Sequence, residues 1–138
     1  MKVYYLPVFL LLVGLYSCTQ KDLRAQYYFI RSAATGDTIA RFYVHETEDA
    51  AVRMEFTLKN LRSDTLYAAM LRKGKTNAPT DTLMSWELQR TTGTTLKFEK
   101  TASYTFDEFR VMDASFFLYG PYPLLTTKVA VANLGKNR

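Results

Sequence analysis

Three features of this chain predict an all-β fold, a single antiparallel β-sandwich of about seven or eight short strands in Greek-key-like order. Apolar and polar residues alternate with period two in several runs, which marks strands with one face buried and one wet. Turn-forming residues separate those runs at regular spacing, and threonine, tyrosine and phenylalanine are abundant throughout. Cys18 is the only cysteine among 138 residues, so the core has to hold without an internal disulfide.

The chain opens on a leader rather than a strand. Lys2 supplies a positive start, Val3 to Leu15 an apolar run, and Leu15-Tyr16-Ser17-Cys18 a cleavage site. The run is shorter than the roughly 20 residues of a spanning helix and is interrupted by Pro7 and Gly14. The tetrad resembles a bacterial lipobox. In that resemblance Ser17 is the small residue before the cut, and the sulfur of Cys18 takes up diacylglycerol. Acylation consumes the thiol, which accounts for a solitary cysteine in an exported protein. Thr19 is not the aspartate that favours inner-membrane retention in many Gram-negative lipoproteins, so the expected location is the outer membrane, in either leaflet. The expected organisation is a signal peptide over 1–17, the acylated cysteine and a polar tether over 18–26, and one β domain over 27–138.

The mature segments follow in order. Tyr27-Tyr28-Phe29-Ile30 reads as a first strand, ended by the turn-prone Ala34-Thr35-Gly36-Asp37. Thr38 to His45 and Ala51 to Leu61 alternate cleanly about the acidic turn Glu46-Thr47-Glu48-Asp49, predicting a hairpin. Thr65 to Leu71 is a strand, followed by a polar loop from Arg72 to Asp81. Leu83–Leu88 and Thr94–Phe98 form an expected strand pair around Thr91-Thr92-Gly93. Tyr104 to Phe109 breaks the alternation and fits one turn of helix. Ala114–Tyr119 is a strand stopped by Gly120-Pro121-Tyr122-Pro123, and Leu125–Leu134 alternates as the last one.

From Gly36 to about Leu134 this order of features resembles the CHRD domain, a chordin-type sandwich related in pattern to copper/zinc superoxide dismutase. The matching features are Gly36, the hairpin ending in Asn60-Leu61, Thr92-Gly93-Thr94 and Phe106-Asp107-Glu108-Phe109. The family's histidines have no counterpart: Met70 and Arg72 stand at two of those positions, and Tyr119-Gly120 near a third. The resemblance therefore implies the frame without its metal ligands.

Composition narrows the chemistry further. His45 is the single histidine, too few for a dismutase-type copper or zinc site. No G-x-S-x-G elbow accompanies it, and Cys18 is assigned to lipid, so no conventional nucleophile is in place. The expectation is a protein that is not an enzyme and takes no cofactor. His45-Glu46-Thr47-Glu48-Asp49 lacks the glycine and spacing of a calcium loop and reads as a solvated turn. Met54, Met70, Met84 and Met112 are dispersed as core residues are. The formal net charge of +5 falls to +4 once Lys2 leaves, with Arg72-Lys73-Gly74-Lys75 the one tight basic cluster. No nucleic-acid motif is present. The candidate ligand contacts are Tyr119 and Tyr122 on a proline-stiffened loop, Trp86, and Arg72 with Lys73 for anionic groups. The expected partners are the membrane, through the anchor, and other envelope proteins or glycans. A small lipocalin-like barrel holding an apolar guest is the alternative architecture.

Overall fold

The computed structural model describes residues 21–138; the leader, Ser17 and Cys18 lie outside the described residues. Within them the chain is all-β apart from one short helix. The strands are β1 (Ala25–Ser32), β2 (Thr38–Glu46), β3 (Val52–Leu58), β4 (Leu66–Lys73), β5 (Thr82–Ser85), β6 (Gln89–Arg90) and β7 (Leu96–Ala102). Helix α1 (Phe106–Val111) follows, then β8 (Asp113–Tyr119) and β9 (Lys128–Gly135). All nine strands join one antiparallel sheet in the order β5-β4-β8-β9-β1-β2-β3-β7, with β6 paired to β4. The all-β expectation is met, with nine strands rather than seven or eight.

The sheet curls until its two halves face each other across a core of rings. Phe42, Phe56 and Phe98, from β2, β3 and β7, meet Phe116 of β8 with centroids 5.1, 5.0 and 6.1 Å apart. Phe56 and Phe98 stack at 4.8 Å. Each arises from strand alternation: Phe42 and Val44, Val52 and Met54, and Phe56 and Leu58 all point inward and are buried. The space between the halves is filled by these side chains.

Several boundaries differ from the sequence reading, for reasons visible in the backbone. The amide of Glu46 donates to the Arg24 carbonyl at 2.8 Å, so the β1–β2 ladder starts there and Ala25 and Gln26 are strand, not tether. The segments Leu83–Leu88 and Thr94–Phe98 do not pair with each other. β5 and β6 both pair with β4, while β7 runs the length of β3 from Leu58↔Leu96 to Val52↔Ala102. Leu125 belongs to a run of turns instead of β9, because Leu124, Leu125 and Thr127 donate to Pro121, Pro123 and Leu124 carbonyls. Gly120 is fixed by space, since a Cβ there would meet the Tyr67 ring at 2.5 Å and its φ is +149°.

The helical turn is present and well capped. Thr105 accepts from the Glu108 amide at 3.2 Å, and the Glu108 carboxylate accepts from the Thr105 amide at 2.8 Å. Phe106 and Phe109 anchor α1 in the core. The hydrogen bond from the Thr105 amide, with a smaller contribution from the Thr105 side chain, holds the Glu108 carboxyl below its usual range.

Candidate binding face

The outer surface of β1 and β2 carries an aromatic patch that alternation produces directly. Tyr28 and Ile30 point inward, so Tyr27, Phe29 and Arg31 point out. Tyr27 and Phe29 are 47% and 48% exposed and meet edge to face at 5.6 Å. From β2, Tyr43 lies 6.2 Å from Tyr27, and the Arg41 guanidinium sits 4.7 Å above the Tyr27 ring. His45 stacks on Tyr43 and bonds Glu55 Oε1 at 3.0 Å, so the lone imidazole is already engaged. Large rings left half in water beside a cation form a surface suited to flat, partly apolar ligands.

Two clefts flank the patch, each where neighbouring strands part. β1 and β9 pair only at Arg31↔Val131 and Ser32↔Ala130, and beyond them a cleft of about 600 Å³ opens. It runs past Tyr27, Phe29, Val131 and Asn133 and is flanked by Arg31 and Arg138. Thr76 also lines it, and its amide donates to Asn133 Oδ1 at 2.9 Å, pinning the β4–β5 loop to β9. On the other side, β2 and β3 pair from Tyr43↔Glu55 to Glu46↔Val52 and then fork. A shallow hollow of about 1100 Å³ fills this fork, lined by Ile39, Arg41, Thr57, Lys59 and Lys97 and reaching Phe56 and Phe98. Arg41 borders both the patch and the fork.

A clamp fixes where β1 begins. Arg24 donates from Nε and Nη2 to the two carboxylate oxygens of Glu46 at 3.0 and 3.1 Å, and from Nη1 to Asp107 at 2.8 Å. Its guanidinium also lies 4.8 Å from the Phe106 ring centre, and Lys21 approaches Glu46 at 3.3 Å. The Arg24 hydrogen bonds hold the Glu46 carboxyl down at about 2 against partial desolvation. The same contacts raise Arg24.

The residues singled out from sequence do not gather into one site. Arg72 lies in β4 rather than in the loop, where Nε and Nη2 donate to the Thr80 carbonyl at 3.2 and 2.6 Å. Lys73 ends the same strand, exposed. Tyr119 is buried, stacked on Phe117 at 5.8 Å, so it is not the open contact that was expected. Its strand is central and covered on both faces: Arg72 and Lys128 lie 5.9 and 5.3 Å from the centre of the Phe117 ring on the outer side. Tyr122 is exposed at the tip of the proline loop. Trp86 lies past the end of β5, half-buried against the core, and its ring meets that of Phe98 in a T-shaped arrangement at 5.0 Å.

Comparison with protein-family models, characterised proteins and solved structures gives no match. The chemistry of this face has therefore to be read from its own residues. Among the described residues no three His, Cys, Asp or Glu side chains gather as a metal site, and no helix is long and apolar enough to cross a membrane. Sequence reasoning missed Tyr27 and Phe29 as contacts. The signal was there in the odd–even alternation, but Tyr27-Tyr28-Phe29-Ile30 is apolar or aromatic at every position, so neither face declares itself as the wet one.

Proposed function

We propose that this chain is a lipoprotein cut before Cys18 and held in the outer membrane by its acyl chains, presenting a non-catalytic, CHRD-like β domain that binds a partner in the envelope. The observation that carries the binding role is the exposed ring pair Tyr27–Phe29, backed by Arg41 and Tyr43 and bordered by two clefts. The anchoring role rests on the Leu15-Tyr16-Ser17-Cys18 tetrad at the end of an apolar leader. Each buried methylene contributes about 0.8 kcal/mol, so two or three acyl chains hold a domain of this size firmly. The lack of catalysis is read from residue supply: the one imidazole is stacked and bound to Glu55.

The test is the intact mass of full-length protein expressed in a Gram-negative host and extracted from membranes. The reading expects a chain starting at Cys18 with diacylglycerol and fatty acyl mass added. Cys18→Ser should leave the precursor uncut and without lipid. A wild-type product of unmodified mass, recovered in the aqueous fraction, refutes the anchored reading.

A further inference from the structure

We propose that the cleft between β1 and β9 receives an extended, acidic strand of a partner protein, completing the sheet where these two strands separate. This deepens the binding-module reading and rests on it.

The backbone sets the class of ligand. The Arg24 carbonyl bonds to β2, and the bonded side alternates residue by residue along an antiparallel strand. Ala25, Tyr27 and Phe29 therefore turn their N–H and C=O groups away from β2, toward the cleft. On the far side, the Ala33 amide donates to the Val129 carbonyl at 3.0 Å and Val131 pairs with Arg31. Asn133, two residues further along, faces the same way. No strand pairing joins Ala25–Ile30 to β9 among the described residues, so both walls present free ladder positions. Two facing rows of donors and acceptors are met by another extended backbone, as in strand addition to a sheet edge.

The side chains set its charge. Arg31 and Arg138 are the charged residues lining the cleft, and no acidic side chain lines it. A carboxylate-bearing strand is complementary to that pair. Tyr27 and Phe29 stand exposed beside the opening and offer apolar cover for alternate side chains of the incoming strand. Tyr28 also lines the cleft. Its side chain turns inward instead, buried with its ring centre 6.2 Å from that of Phe109.

The probe is a fluorescein-labelled peptide, Thr-Val-Glu-Val-Glu-Val-Thr, titrated by anisotropy against full-length acylated protein in detergent micelles. Two comparison peptides carry lysine in place of both glutamates, or methyl groups on alternate backbone nitrogens. Saturable binding of the acidic peptide is expected, with the lysine and N-methyl peptides at least about tenfold weaker. Arg31→Glu should weaken binding about tenfold while leaving circular dichroism unchanged, and Lys97→Glu, outside this cleft, should have no effect. Absence of saturable binding up to about 1 mM overturns the proposal. Equal binding of the N-methyl peptide overturns it too, since backbone pairing would then be dispensable. Peptide-independent self-association would put a second copy of this chain in the cleft, and equally sinks the partner-strand reading. Acylation and membrane retention, read on the same preparations, report separately on the anchored module.

Discussion

Replacing Phe116 by alanine tests whether the two halves of the sheet close on each other. The ring is fully buried on β8 and meets Phe42, Phe56 and Phe98, which come from three strands of the opposite half. Truncating a buried phenylalanine destabilises by about 3–5 kcal/mol, through lost transfer energy and the cavity left behind. The upper end applies here, because the gap lies among ring faces held by separate strands and cannot close without shifting the sheet. A domain of this size has a total stability of about 5–15 kcal/mol, so the loss is a large share. The expected fall in melting temperature is roughly 10–20 °C. Trp86, the single tryptophan, packs on Phe98 and gives a local fluorescence reading of the same transition. Thermal and urea unfolding should be followed by that signal and by circular dichroism, with Phe29→Ala as the exposed control. A Phe116→Ala loss under about 1 kcal/mol, no larger than the control's, would refute a core closed between facing halves.

Further outcomes follow from individual contacts. Gly120→Ala should destabilise by about 1–3 kcal/mol, because the new Cβ collides with the Tyr67 ring at a φ that side chains rarely adopt; urea midpoints check this. Thr105→Ala removes the α1 cap and should cost about 1 kcal/mol by the same measurement. Glu46 has its folded-state carboxyl pulled from 4.5 to about 2 by Arg24, so its contribution is fully present above about pH 4.5 and disappears as pH falls toward 2. Wild type should therefore lose more stability between about pH 5 and about pH 2 than Glu46→Gln does, measured as the shift in urea midpoint. Equal acid sensitivity in the two proteins would remove Glu46 from the account.

Much of the fold was legible in the sequence because alternation is a local property. The β2–β3 hairpin is plain in Val52, Met54, Phe56 and Leu58 set against Arg53, Glu55 and Thr57, and the helical turn in Phe106-Asp107-Glu108-Phe109. Pairing between distant strands is not local. Nothing in Thr94–Phe98 says that its partner is β3 rather than the strand just before it. The site was the least legible part, for two reasons. β8 is buried on both faces, so Tyr119 reads as a loop-side aromatic when it is a covered strand residue. The β1–β9 cleft arises from a ladder that stops after two pairs, which no residue pattern announces.

That early stop is the feature on which the partner-strand proposal depends most closely, and residue-resolved hydrogen exchange on the native protein measures it directly. The amides of Tyr27, Phe29 and Asn133 should exchange quickly, while those of Phe116, Leu118 and Ala132, in the fully paired β8–β9 ladder, exchange slowly. Slow exchange at all three cleft positions would mean that β1 and β9 are zipped along their length, leaving no opening for a partner strand.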